Sequence, residues 1–398
     1  MNKETVCVTG TGGSINGNIM DKEMEAGTVS DNTSEEAARK AEEVKQEAEE
    51  VTQEAEEVKQ EAEEVKQETE EVKQEAEEEI KQKTEEAEQK AGEKAAGIKS
   101  TGRDRGVLLY LVFVFVSTYL YEYIFVIRFL KNNPQYSIAS ISMRLALAMF
   151  LPALSAVAAR YATGERFKNS YISFNFKDGR YRYYLIAWFA PVVLTLAGCF
   201  AYYTIFPGDY SPEMEYIIKT YEKQGLSGIT PEGMRLQALS QAITSILIAP
   251  ILNCVTCFGE EWGWRGYLLP RLRDKLASAP LMIVMGVIWG LWHAPLIVAG
   301  HNYGYDYFLY PFTGIAAMIL FCFSIGTILS YVTLKTGSCV PAVIGHGAIN
   351  GFSAIGIYFS KTGGHLLLGP TPAGVVAGLP CLITAVILIH FMKKDEQK

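Results

Sequence analysis

Residues 240–268 read SQAITSILIAPILNCVTCFGEEWGWRGYL. A mostly apolar run of this length covers a hydrocarbon core of about 30 Å at about 1.5 Å per residue. Near its end, however, it carries Glu260, Glu261 and Arg265. A charge at membrane depth is costly and normally faces the protein interior or a water-filled cavity. The stretch therefore predicts a membrane helix with a polar site at its inner end.

Similar segments of about 20 residues recur at roughly 107–130, 141–160, 184–205, 279–300, 309–334, 339–359 and 373–392. With 240–268 they make eight. An isolated segment in lipid must satisfy its own backbone polar groups, so each is expected to be helical. The expected fold is thus all-α: a polytopic, multi-pass membrane protein with about eight transmembrane helices over 107–392, followed by a short cytoplasmic tail at 393–398.

The overall composition hides this organisation. Hydrophobic residues make up 49% and charged residues 20% of the 398, with a net charge of -8, which is ordinary for a soluble protein. Yet 107–398 holds only 14 of the 44 acidic residues and 21 of the 36 basic ones. The first 106 residues are strongly acidic and the remainder is net basic.

Residues 1–33 are rich in Gly, Ser, Thr and Asn and read as a disordered leader. TGTGGSING within it lacks the GK[ST] ending of a phosphate loop and follows no strand, so no nucleotide site is expected. It also lacks the basic start and apolar stretch of a signal peptide. From 34 to 98 the text repeats EEVKQEA with a period of seven, predicting a long acidic heptad-repeat helix. Ala41, Ala48, Ala55 and Ala62 fall at position a, and Val44, Val51, Val58, Val65 and Val72 at d. Glutamates at g then face lysines at e, the charge pattern of a coiled coil able to self-associate; a solvated single helix acting as a spacer is the competing reading. The extra glutamate in Glu77-Glu78-Glu79 shifts Ile80 out of register.

Basic residues orient the spans. With the N-terminus inside, the cytoplasmic segments collect Lys99, Arg103 and Arg105, then Arg160, Arg166, Lys168, Lys177, Arg180 and Arg182, then Arg271, Arg273 and Lys275, then Lys335, Lys393 and Lys394. The other side has Arg128, Lys131, Lys219, Lys223, Arg235 and Lys361. The positive-inside rule puts both termini in the cytoplasm.

Inside the spans, four polar positions stand out: Glu260 with Glu261, Arg265, His293, and His346 with Asn350. Glu261 and Arg265 are i, i+4 with the acid first, the favourable order for an ion pair. Glu260 is turned about 100° away from its neighbour and does not easily share that arginine. His346 and Asn350 are also i, i+4 and point into one space. Counting residues from each span's end brings the three groups to compatible depths. Cys254-x-x-Cys257 has no second pair after it and reads as apolar filler, not a zinc site. His301, His365 and His390 read as structural. Glu122, among Tyr119, Tyr121 and Tyr123, is an unexplained charge that either lines a cavity or pairs with Arg144.

These residues also carry a resemblance. GEEWGWRGYLLPRL resembles the EExxxR motif of the CAAX prenyl protease and bacteriocin-processing family of intramembrane metalloproteases, also called Abi proteins. WGLWHAPL is similar to its second motif, an aromatic followed by xxxH, with Trp289 where the family often has Phe, and HGAIN to its third, HxxxN. The order, the intervals and the eight spans agree over about 107–392.

The resemblance implies an intramembrane endopeptidase in which Glu260 is the general base that takes a proton from water. It implies that Glu261 and Arg265 orient that base, that His293 and His346 hold the attacking water or a metal, and that Asn350 faces the developing oxyanion. Glu260, His293 and His346 would make a Zn2+ set with a fourth position for water, and the same groups would equally bind water by hydrogen bonds alone.

The expected partners are the lipid bilayer and a membrane-associated protein or peptide, either a prenylated CaaX C-terminus or a peptide of the bacteriocin kind, with no nucleic acid. A site open to the cytoplasm is expected. Trp262, Trp264, Trp289 and Trp292 either line a lipid-accepting groove or pack between helices. The alternatives are a non-proteolytic membrane scaffold or immunity-type protein that keeps the protease fold, and a carrier, disfavoured because no internal repeat is visible.

Overall fold

A computed structural model of the chain describes residues 104–396 except 134–137 and 168–169, together with scattered positions between 39 and 85. It divides into two units, Met1–Glu93 and Lys94–Lys398. In the first, every described position is helical and exposed, and Glu79 pairs with Lys83 one turn on. The leader at 1–33 and the Ala and Val seam of the heptads lie outside the described residues.

In the second unit the chain is helical without a strand among the described residues. The helices are α1 (Asp104–Asn132), α2 (Ala139–Thr163), α3 (Tyr181–Ile205), α4 (Glu215–Lys223), α5 (Pro231–Leu247), α6 (Cys254–Gly263), α7 (Ser278–Trp292), α8 (Phe312–Thr336), α9 (Val340–Phe359) and α10 (Leu379–Glu396). Five of them, α1, α2, α3, α8 and α9, are long and apolar enough to cross a membrane.

The exposed faces are greasy, as a lipid solvent demands. Along α3, Leu185, Phe189, Val193, Leu196 and Phe200 form an outward stripe, while Tyr184, Ala187, Pro191, Thr195 and Tyr202 turn inward. Five such helices with apolar outer faces make the chain an integral membrane protein.

Three expected spans take a different form. The segment 240–268 is not one helix: α5 stops at Leu247, a single turn Ala249–Leu252 follows, and α6 begins at Cys254 and runs into a wide turn at Trp264–Leu268. Pro250 is the physical reason, because it has no N–H for the carbonyl of Ile246 four residues back. That carbonyl instead accepts Trp188 Nε1 of α3 at 2.7 Å.

The segment 279–300 breaks in the same way. Here α7 covers Ser278–Trp292, and Pro295 leaves the carbonyl of Leu291 to Tyr119 Oη of α1 at 2.7 Å. The third, 373–392, becomes helical only at Leu379, and Lys393–Glu396 continue α10 rather than forming a separate tail.

Close helix approach then sets the site. Gly259 and Gly263 on α6 face the bend of α2, where an added Cβ would meet Met149 O and the Pro152 backbone at 2.6 Å each. Gly286 and Gly290 on α7 give way likewise to Phe323 and Ile319 of α8, at 2.5 Å. Small residues four apart let backbones touch where lipid supplies no hydrophobic drive between helices.

Polar belts close both ends of the bundle. At the end bearing Asp104 and Glu396, Arg271 pairs with Glu165 and Lys275 with Asp104. At that end Trp262 Nε1 also donates to Ser170 O at 3.0 Å, Cys339 N to Tyr171 O at 2.8 Å, and Asn175 Nδ2 to Thr336 O at 2.9 Å. At the opposite end, Asp209 collects Tyr202, Ser360 and Thr362, and Tyr303 Oη donates to Ala373 O at 2.8 Å.

Candidate active site

The six residues singled out by spacing come from α6 with its wide turn, from the residue that ends α7, and from α9. Glu260, Glu261, Arg265 and His346 are all buried. Glu260, His293, His346 and Asn350 line one cavity of about 450 Å3.

The pair Glu261–Arg265 forms at 3.0 Å with both side chains almost wholly buried. Arg265 also donates Nη2 to Gly326 O at 3.2 Å, and its guanidinium lies 4.4 Å from the Trp289 ring centroid. Burying an ion pair is favourable only when its remaining hydrogen-bonding atoms find partners; α8 supplies them for Arg265, while Glu261 Oε2 has none among the described residues. Glu261 does not reach Glu260. Its Oε1 also accepts His346 Nδ1 at 2.8 Å, across 85 residues of sequence. Glu260 is held instead by Trp289 Nε1, which donates to its Oε2 at 2.9 Å.

These bonds settle which face each imidazole presents. A carbonyl oxygen and a carboxylate oxygen only accept, so a ring nitrogen in contact with one must carry the proton. His346 Nδ1 is on Glu261, and His293 Nδ1 lies 2.9 Å from Trp289 O. The second contact exists because α7 ends there: the backbone N–H of His293 turns to Gly290 O, freeing the Trp289 carbonyl. In the neutral form of each ring, Nε2 is then the unprotonated nitrogen.

Asn350 is exposed to the cavity, and its Nδ2 lies 3.8 Å from Cys257 Sγ. No three His, Cys, Asp or Glu side chains among the described residues are grouped to hold a metal ion. Glu260, His293 and His346 do not group as a three-ligand set in this arrangement. The pair Cys254 and Cys257 is not a ligand pair either: Cys254 Sγ donates to Pro250 O at 2.9 Å.

Two of the four tryptophans, Trp289 and Trp292, line the cavity. Trp264 is wholly buried against Tyr110 and Trp292, and Trp262 stacks on Phe258 away from the site. His301, read from sequence as structural, joins the cavity wall with Asn302. The missed signal is the short turn after Pro295, which returns the chain to the site eight residues after His293. Glu122 sits buried on the wide turn Glu122–Ile127, and both its oxygens lack a hydrogen-bond partner among the described residues. It is not part of the cavity wall, and Arg144 lies over the Phe129 ring at 3.7 Å instead of pairing with it.

Apolar-faced helices thus bring Glu260, His293, His346 and Asn350 to one cavity, with the Glu261–Arg265 ion pair buried behind it. Residues 241–352, which contain all six positions, match the family model described as Type II CAAX prenyl endopeptidase Rce1-like. The chain is also 34% identical over 92 residues to "CAAX prenyl protease 2" of Methanococcus maripaludis, a match covering 23% of this chain and 34% of that protein. The match thus spans about a third of that relative.

Proposed function

We propose that this chain is an intramembrane endopeptidase, built on eight membrane spans, in which Glu260 activates a water molecule against a peptide bond of a membrane-associated substrate. The observation that carries this reading is the orientation of the two histidines. With each Nδ1–H committed to an acceptor, the neutral form of each ring offers Nε2 as a hydrogen-bond acceptor.

Water donates one hydrogen to the Glu260 carboxylate and the other to a histidine Nε2. Its oxygen attacks the carbonyl carbon as Glu260 takes the proton, and Asn350 Nδ2 donates to the resulting oxyanion. The C–N bond then breaks while Glu260 returns its proton to the leaving amine. Glu261 and Arg265 act as positioning residues, through His346. Trp289 fixes the Glu260 carboxylate.

The substrate kinds implied by the family are a prenylated CaaX C-terminus and a small membrane peptide. The test is cleavage of a quenched farnesylated CaaX peptide by purified protein in detergent, beside Glu260→Gln and His346→Ala, with and without a zinc chelator. Cleavage lost in both variants and unaffected by chelator is the expected result. Loss of activity on chelation would replace hydrogen-bonded water by zinc-bound water, and full activity in Glu260→Gln would remove the proposed base.

A further inference from the structure

The polar side chains of the cavity wall fall into two sets. One is the group around Glu260. The other consists of His301 and Asn302 on the loop after α7, Ser353 near the end of α9 and Thr371 on the loop before α10. The remaining wall is largely apolar, with Leu145, Met149, Leu296 and Phe321 among its residues.

The loop that carries His301 and Asn302 is fixed from several directions. The backbone N–H of His301 donates to Leu296 O at 2.9 Å, and Asn302 takes a left-handed backbone, φ 68°, which its short polar side chain tolerates. Tyr303 is buried and donates its Oη to Ala373 O at 2.8 Å, which ties this loop to the one bearing Thr371. Tyr305 Oη donates to Ala299 O at 2.6 Å. The side chains of His301 and Asn302 nevertheless stay exposed at the cavity, with no hydrogen-bond partner among the described residues.

This second set is rich in donors and free of acids. An imidazole keeps at least one N–H whether neutral or protonated, an amide has two, and each hydroxyl has an O–H. Among the described residues Glu260 is the only acid lining the cavity, and no Lys or Arg lines it. A carboxylate that leaves water needs donors to replace its hydration. Outside the group around Glu260, His301 and Asn302 are the nitrogen donors in this wall.

A CaaX chain carries its terminal carboxylate three residues beyond the lipid-bearing cysteine. Three extended residues span about 10 Å, close to the breadth of a cavity of about 450 Å3. The chain end can therefore reach the second set while a bond nearer the lipid lies at Glu260.

Resting on the endopeptidase reading above, we infer that His301 and Asn302 form a subsite for the terminal carboxylate of the substrate, and so select chains that are cut close to their C-terminal end.

The test compares two quenched farnesylated CaaX peptides of one sequence, one ending in a free carboxylate and the other in an amide, with full-length protein in detergent. Wild type is expected to show a KM about tenfold lower for the free acid, the size of a hydrogen bond to a charged group. His301→Ala is expected to bring the two KM values within about twofold of each other. Asn302→Asp, which the left-handed backbone also accepts, is expected to reverse the preference by repelling the carboxylate, an outcome that loss of folding cannot produce. Equal KM values for the two peptides in wild type, or a wild-type preference kept in both variants, overturns the inference.

The subsite is also read without cleavage. Binding of the same two peptides to Glu260→Gln protein, followed by fluorescence anisotropy, is expected to show a preference of about tenfold for the free acid. If wild type cleaves neither peptide while this preference holds, the endopeptidase reading fails and the subsite stands. Equal binding of the two peptides overturns the subsite whatever the cleavage result.

Discussion

Two of the buried acidic nodes in this bundle, Glu260–Glu261 beside the cavity and Asp209 at the far end, are built in opposite ways. Asp209 has its carboxylate fully occupied by neutral donors: Ser360 Oγ at 2.9 and 3.0 Å, Thr362 N at 3.0 Å, Thr362 Oγ1 at 2.6 Å and Tyr202 Oη at 3.2 Å. It pins the 360–378 loop to the end of α3 and leaves nothing over for chemistry. The Glu260–Glu261 node uses a guanidinium and an imidazole, and leaves two ring nitrogens with free lone pairs and a carboxylate at a cavity. Satisfied polar atoms hold a structure together; atoms left open beside a cavity are available to a substrate.

The largest expected effect separates the nodes by activity. Glu260→Gln should lower cleavage about 10^2–10^4-fold, the usual contribution of a general base, with the thermal midpoint unchanged or raised. Next in size, Arg265→Met should destabilise the protein by about 3–5 kcal/mol, because it strands the Glu261 charge in the interior. Unfolding in detergent measures this, and the double variant Glu261→Leu with Arg265→Met should recover most of the loss. A single variant as stable as wild type would mean that Glu261 is neutral when Arg265 is absent.

At the other node, Asp209→Ala leaves several donors bare and should cost about 1–3 kcal/mol, with cleavage per folded molecule unchanged. A loss of turnover there would show that the far-end loop takes part in the reaction. Smaller still, Trp188→Phe should cost about 1 kcal/mol by baring the Ile246 carbonyl beside Pro250. Lys219→Ala on exposed α4, where the ion pair with Glu215 lies in water, should leave the thermal midpoint where it is.

Much of the site was legible in the sequence, since charges within apolar runs are rare enough to be conspicuous and i, i+4 spacing decides which ones share a face. That is how Glu261 and Arg265 are paired by inspection. The longer connections were not legible. Nothing in local spacing joins Glu261 to His346, or Trp289 to Glu260, because those contacts depend on how α6, α7 and α9 are packed by glycines that look unremarkable in text.

The breaks at Pro250 and Pro295 were visible as residues but not as consequences. Whether a proline interrupts a membrane helix depends on a remote donor for the freed carbonyl, here Trp188 and Tyr119. Depth counting located the site along the bundle but not the loop residues His301 and Asn302 that complete the cavity wall.

The most direct test of the account pairs two variants in one preparation: cleavage rate and thermal midpoint for Glu260→Gln and Asp209→Ala, each against wild type in the same detergent. The account predicts that Glu260→Gln is inactive and stable while Asp209→Ala is active and destabilised. An active Glu260→Gln, or an Asp209→Ala that folds normally and does not cleave, would contradict it.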